Sequence, residues 1–127
     1  MNRAYYWILP LLLCAGCQGG VETSYVIDGH VNNAEANGNI IYLSHSNGDE
    51  LVNLDSAIVD DGLFSFRGEQ EVPIMAYLRF NRSLDSLAVP VLFVLENGSM
   101  EATMDTLYST VTGTEQNAAF ELYKAEV

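Results

Sequence analysis

The chain has 127 residues, the size of one small domain, and 49% of them are apolar, which excludes a disordered acidic tail. Its 17 acidic residues against 5 basic ones give a formal net charge of −12. This charge excludes the nucleic-acid-binding classes, because they need a basic surface to displace counterions from phosphates.

Residues 1–16 resemble the signal peptide of a bacterial lipoprotein. Arg3 gives the N-terminal region a positive charge, and residues 4–13 form an apolar segment too short to span a bilayer as a helix. Two small residues then precede Cys17. In such lipoproteins the cysteine that ends the lipobox is acylated, with palmitate among the acyl chains, and becomes the first residue. The resemblance implies lipidation of Cys17, although Cys14 stands where a leucine is usual.

Cys14 and Cys17 also have the CxxC spacing of thioredoxin-like redox motifs. Such a motif needs a preceding strand and a following helix N-terminus that lowers the pKa of the first thiol. Here the pair ends an apolar targeting segment, so we expect no redox-active dithiol. Two cysteines at this one place also exclude a disulfide framework spread through the fold.

Removal of residues 1–16 takes away one arginine and no acid, so the remaining chain is still more acidic. A lipid anchor with a tether at residues 17–23 would hold this domain off an anionic membrane surface. No dense acidic run follows Cys17, as it does in some surface-exported lipoproteins. We therefore expect the cell envelope, at the periplasmic face of the outer membrane, and surface exposure stays open.

Turn signals divide the rest of the chain into short β-strands. Asn-Gly and Asp-Gly pairs favour type I′ hairpin turns, and four of them stand between apolar runs, at residues 37–38, 47–48, 61–62 and 97–98. Asp28-Gly29 interrupts an apolar run and predicts a β-bulge. The strand candidates are residues 25–31, 39–44, 51–59, 63–68, 74–80, 89–95, 99–105 and 108–112.

This pattern predicts an all-β fold, an antiparallel β-sandwich of about eight short strands with a C-terminal helix. Residues 89–95 are nearly all apolar and predict a central strand buried on both faces, with Pro90 near its start. Alternation in residues 99–105 predicts three inward side chains, those of Met100, Ala102 and Met104. We expect the sandwich domain to comprise residues 24–113.

The period of the pattern changes after Gly113. Thr114 is a candidate N-cap with Glu115 in the first turn, and residues 114–127 predict a helix. Helical spacing places five side chains on one face of it, those of Gln116, Ala119, Phe120, Tyr123 and Val127. This face either packs on the sandwich or receives a partner, and Phe120 and Tyr123 are the candidate partner contacts.

Several short motifs also agree in order and spacing with one family. They lie at residues 27–29, 41–43, 55–57, 60–66, 72–73, 93–98 and 113–117. Together they resemble an all-β domain of unknown function at the N-terminus of bacterial envelope lipoproteins, commonly before a thioredoxin-like AhpC/TSA thiol-disulfide oxidoreductase domain. The resemblance implies a non-catalytic role, because the redox chemistry lies in that following domain. The unfinished helix at Val127 leaves two alternatives, a stand-alone lipoprotein and an N-terminal fragment of a longer oxidoreductase.

The remaining candidate sites are few. His30 and His45 are the two histidines, and nothing around them suggests a Ser-His hydrolase. The acidic pairs at residues 49–50 and 60–61 lie at turns, where Asp bonds its own backbone, so we expect no metal site and no cofactor. The connection at residues 81–88, with Arg79 before it, is either a recognition loop or an ordinary one.

Three Asp-Ser/Thr-apolar triplets resemble the acceptor of bacterial periplasmic O-glycosylation. Their acceptor residues are Ser56, Ser86 and Thr106. With these features we expect a non-enzymatic, lipid-anchored accessory or docking domain. Its partner would be an envelope thiol-disulfide oxidoreductase or another envelope protein. The alternative is an envelope module that binds a glycan or a peptide.

Overall fold

The computed structural model of the protein describes residues 22–84 and 86–126. The expected signal peptide, Cys14, Cys17, Asp85 and Val127 lie outside the described residues. Within them the chain forms eight strands and one α-helix, as the sequence predicted. These are β1 (Tyr25–Val31), β2 (Ile40–Ser46), β3 (Leu51–Ile58), β4 (Leu63–Gly68), β5 (Ile74–Phe80), β6 (Val91–Leu95), β7 (Gly98–Met104), β8 (Thr110–Thr112) and α1 (Glu115–Glu126).

The strands form two four-stranded sheets, with the orders β4-β1-β7-β8 and β3-β2-β5-β6. Every pair within the second sheet is antiparallel. In the first sheet β1 and β7 run parallel, from Tyr25 opposite Gly98 to Val31 opposite Met104. The predicted antiparallel sandwich is therefore confirmed apart from this pair. Hairpin signals report only on neighbours along the chain, so they contain no information on a pairing between such distant strands.

The core lies between the two sheets and follows the period-two alternation of the strands. Met100, Ala102 and Met104 all point inward and are buried, which confirms the prediction for β7. The largest fully buried side chains come from both sheets, and burial of each contributes about 1.5–3 kcal/mol to the free energy of folding. They include Ile27, Ile41, Leu43, Phe66, Leu78, Phe80, Phe93 and Leu95.

The prediction that residues 89–95 form a central strand buried on both faces is wrong. Strand β6 is an edge strand that pairs only with β5 within its sheet. Phe93 is buried, whereas Leu92 and Val94 on the other face are half-buried. Helix α1 packs against β6 at its open edge, so this strand is covered there although it has only one neighbouring strand. Pro90 directly precedes the strand, as expected from its missing N–H.

Gly29 does not form the predicted bulge. Strand β1 pairs with both of its neighbours without a shift in register. The Phe64 ring instead covers Gly29, and a Cβ at that position would lie 2.0 Å from Cζ of Phe64. The register shift occurs in the other sheet, between Leu43 and Ser44 where β2 faces β3. The glycine in β1 is therefore required by a close approach of an aromatic ring.

Of the four predicted type I′ turns, only Asp61-Gly62 has both central residues at positive φ, 53° and 78°. Asn37 has φ −58° and ψ 134° before Gly38 at 85°, which is the geometry of a type II turn. Asn37 is held there because its Oδ1 accepts from the Gly62 amide at 2.7 Å. The glycine in each pair does adopt the positive φ that the sequence predicts.

Helix α1 buries a different face from the one that its apolar spacing predicted. Gln116, Ala119 and Tyr123 are exposed, and Phe120 is half-buried. The buried residue of the helix is Asn117. No helix of the described residues is long and apolar enough to cross a membrane. Polar contacts to β6 determine which face of α1 is buried, and the spacing of apolar residues contains no information on such contacts.

Candidate functional site

Helix α1 closes the open edge of β6 through side-chain hydrogen bonds to the strand backbone. Oδ1 of Asn117 accepts from the Val94 amide at 2.8 Å, and Nδ2 of Asn117 donates to the Val94 carbonyl at 2.8 Å. Two turns further along the helix, Nζ of Lys124 donates to the Leu92 carbonyl at 3.1 Å and pairs with Glu121 at 2.7 Å. The helix thus satisfies backbone groups that an unpaired edge strand would expose.

The predicted partner residues lie on the same helix. The rings of Phe120 and Tyr123 stack with centroids 6.3 Å apart and planes 12° apart. Lys124 places its Nζ 4.9 Å from the Phe120 centroid, so that ring is fixed from one side. Leu122 is 70% exposed and Tyr123 is 63% exposed. The end of the helix therefore presents apolar surface to solvent.

A second polar cluster lies on the outer face of the β3-β2-β5-β6 sheet, around Arg79 of β5. Tyr42 of β2 lies directly opposite Arg79, and the guanidinium carbon is 5.5 Å from the centre of its ring. Nε of Arg79 donates to Oγ of Ser44 at 3.2 Å, and Nη2 donates to Oδ1 of Asn53 at 2.8 Å. Ser44 in turn donates to Asn53 at 2.7 Å. The register shift between Leu43 and Ser44 places Ser44 opposite Asn53.

Arg79 lines a pocket of about 520 Å³ at the end of this sheet. The turn between β2 and β3 contributes the acidic residues Asp49 and Glu50, and Leu51 adds an apolar contact. The remaining lining residues are Tyr42, Ser46, Gly48, Asn53 and Asn81. In the sequence, Arg79 stands out only as a neighbour of the 81–88 connection. Its signal was a charged residue within an otherwise apolar strand.

The buried polar residues of the described chain are Ser44 and Asn117, and both serve these two clusters. Neither histidine side chain makes a hydrogen bond to another described residue: His30 is exposed in β1, and His45 is half-buried near the end of β2. Among the described residues no group of three or more His, Cys, Asp or Glu side chains has the arrangement of a metal site.

The three candidate O-glycosylation acceptors are exposed. Ser56 lies in the edge strand β3, Ser86 in the turn before β6, and Thr106 in the loop between β7 and β8. At two of them the preceding aspartate accepts a hydrogen bond from the backbone of the acceptor residue. The Ser56 amide donates to Asp55 at 2.8 Å, and the Thr106 amide donates to Asp105 at 2.6 Å.

Two side chains have shifted pKa values. The pKa of Asp105 is lowered because its carboxylate accepts from the Thr106 amide and then from the Asn32 side chain. The pKa of Tyr25 is raised by burial first and by the negative charge of Asp55 second. The hydrogen bonds that cause the first shift link the β7–β8 loop to Asn32, which directly follows β1.

The class of protein is therefore an all-β domain of two packed sheets with a helix over one edge. More particularly, residues 25–120 match the family described as Domain of unknown function (DUF4369), and the chain belongs to this family. The match spans all eight strands and the first half of α1. No curated protein and no solved structure matched the chain. The resemblance to a domain of unknown function is thus confirmed.

Proposed function

We propose that the chain is a non-catalytic, lipid-anchored domain of the bacterial cell envelope, accessory to another envelope protein. One observation carries the proposal: the two polar side chains that are buried among the described residues, Ser44 and Asn117, are both engaged in structural hydrogen bonds. Catalysis needs a nucleophile, a base and an orienting group in contact. The exposed apolar residues of α1 are instead suited to binding.

The lipid anchor is the first part of the proposal and rests on the lipoprotein-like segment that ends at Cys17. Cys17→Ser removes the acylated sulfur, so the protein is expected to move from the membrane fraction to the soluble fraction. Cys14→Ser is the matched control and leaves the protein in the membrane fraction. Retention of the Cys17→Ser protein in membranes would reject the anchor.

The docking surface of the proposal is the end of α1. Stacked Phe120 and Tyr123 offer apolar area, and Glu115, Glu121 and Lys124 leave the helix with an excess of negative charge. The surface therefore suits an envelope protein with a basic, aromatic or aliphatic patch, since opposite potentials favour association. By resemblance, an envelope thiol-disulfide oxidoreductase is the proposed partner.

In-cell photo-crosslinking tests this surface. A photoreactive residue at position 123 is expected to give one adduct with a protein of basic surface, and Phe120→Ala is expected to abolish it. The control is the same photoreactive residue at Leu63, which is also exposed but lies in the edge strand β4, away from the helix. Equal adducts at both positions, or an adduct of twice the chain mass, would contradict the docking proposal.

A further inference from the structure

The guanidinium of Arg79 has spare hydrogen-bonding capacity. Arginine carries five N–H donors in a rigid fork. Nε donates to Ser44, Nη2 donates to Asn53, and Nη1 makes a longer contact of 3.5 Å with the Phe80 carbonyl. Counting only the described residues, one N–H on each terminal nitrogen remains without an acceptor. Such a pair of N–H groups matches the two oxygens of a carboxylate.

The positive charge of Arg79 is not compensated by a described carboxylate. Its acceptors are a hydroxyl, an amide and a carbonyl, and all three are neutral. The ion pair of the described chain joins Lys124 to Glu121 instead. Although the protein has a formal charge of −12, the guanidinium of Arg79 is thus held by neutral acceptors, which do not neutralise its positive charge.

The pocket beside Arg79 has both signs of charge. Asp49 and Glu50 line it together with Arg79, so a simple anion would be attracted by one side and repelled by the other. A ligand with a carboxylate at one end and an ammonium at the other satisfies both. The volume of about 520 Å³ lies in the range of small-molecule sites, and Leu51 and Tyr42 supply apolar contact.

We propose that this pocket binds a short zwitterionic peptide. The C-terminal carboxylate pairs with the free N–H groups of Arg79, and the N-terminal ammonium lies beside Asp49 and Glu50. This site goes beyond the docking role of α1, because none of its lining residues belongs to that helix. Failure of the peptide site therefore leaves the docking proposal standing, and failure of docking leaves the peptide site standing.

Saturation-transfer NMR on the full-length protein in detergent micelles tests the site, with empty micelles as the blank. The probe is trialanine, compared with N-acetyl-trialanine, which lacks the ammonium, and trialanine amide, which lacks the carboxylate. We expect saturable binding of trialanine, weaker binding of the acetylated peptide and loss of binding of the amide. Phosphoethanolamine is included because a lipid headgroup offers a similar pair of charges.

Two sets of variants assign the binding to the pocket. Arg79→Lys keeps the charge and loses the fork, so trialanine affinity is expected to fall about tenfold. Arg67→Lys is the matched control, because Arg67 is exposed on the other sheet. In Asp49→Asn/Glu50→Gln, which changes exposed turn residues only, the preference for trialanine over the acetylated peptide is expected to disappear.

No saturable trialanine signal, an unchanged affinity in Arg79→Lys, or equal binding of the acetylated peptide would overturn the proposal. Stronger binding of phosphoethanolamine than of trialanine would overturn the assignment to a peptide. Should Arg79→Lys fail to fold, Asp49→Asn/Glu50→Gln still tests the proposal, because Asp49 and Glu50 are exposed and their removal is not expected to affect folding. A preference for trialanine that persists in this variant would overturn the proposal.

Discussion

The side-chain amide of Asn117 is hydrogen-bonded to both backbone groups of Val94, at 2.8 Å for the accepted bond and 2.8 Å for the donated one. A residue of the helix thus takes the place that a neighbouring strand would have beside β6. Asn97 repeats this arrangement on Gln70, with bonds of 3.0 Å and 2.9 Å. Asparagine side chains therefore complete the backbone hydrogen bonding at two places outside the regular ladders.

Asn117→Ala is expected to destabilise the protein by roughly 2–4 kcal/mol, because each buried backbone group left without a partner costs about 1–3 kcal/mol. Asn117 is 1% exposed, so water does not replace its amide. Urea unfolding gives the free energy, and hydrogen exchange at the Val94 amide reports the local opening. Asn97→Ala, at a half-buried position, is expected to cost less. Equal effects of the two changes would contradict the role of burial.

Gly29→Ala is expected to destabilise the protein by about 1–3 kcal/mol, the usual cost of overpacking a core. The new Cβ would lie 2.0 Å from the Phe64 ring. Phe64→Leu makes room for it, so the double variant is expected to be more stable than the sum of the two single changes predicts. Gly48→Ala separates the two causes, because its new Cβ meets open space and its cost comes from backbone strain at φ 113°, which Phe64→Leu does not relieve. If the free-energy changes of Gly29→Ala and Phe64→Leu are additive in the double variant, the ring contact is not the reason for the glycine.

Asp105→Asn is expected to reduce stability at neutral pH and to matter progressively less in acid. The pKa of Asp105 is lower in the folded protein than in the unfolded chain. Its contribution is therefore present above the ordinary carboxyl pKa of about 4 and is lost as the pH falls through the folded value. Urea unfolding of both proteins at neutral and acidic pH measures the difference. A difference that does not change with pH would contradict this role of the carboxylate.

Native protein purified from its own membranes is expected to have hexose-type mass increments if the glycosylation hypothesis holds, with Ser86 or Thr106 as the modified residue. Thr106 is exposed in a loop, and Asp105 holds its backbone amide. Thr106→Ala is then expected to remove one set of increments. Thr103→Ala is the control, because Thr103 is an exposed threonine that follows Ala102. A native mass without increments would reject the hypothesis for all three acceptors, including Ser56.

Sequence reasoning located the strands well because their signals are local. Alternation placed Met100, Ala102 and Met104 in the core, and glycines after Asn or Asp adopt positive φ as the turn chemistry requires. The same reasoning misassigned β6, because an apolar run has the same appearance in a central strand and in an edge strand covered by a helix. Which of the two applies depends on residues far away in the chain.

The Arg79 site shows the same limit. Its parts come from β2, β3 and β5, and they meet only because a register shift places Ser44 opposite Asn53. No spacing along the chain indicates that meeting, although a lone arginine in an apolar strand was a usable signal.

Short strands, tight turns and a final helix can be predicted from the sequence of this chain, because they depend on interactions between neighbouring residues. Three further features become visible only in the folded chain: the parallel pairing of β1 with β7, the burial of Asn117 against β6, and the pocket around Arg79. Each of these depends on contacts between residues distant in sequence. Their formation is governed by how the two sheets and the helix pack together, which local patterns do not encode.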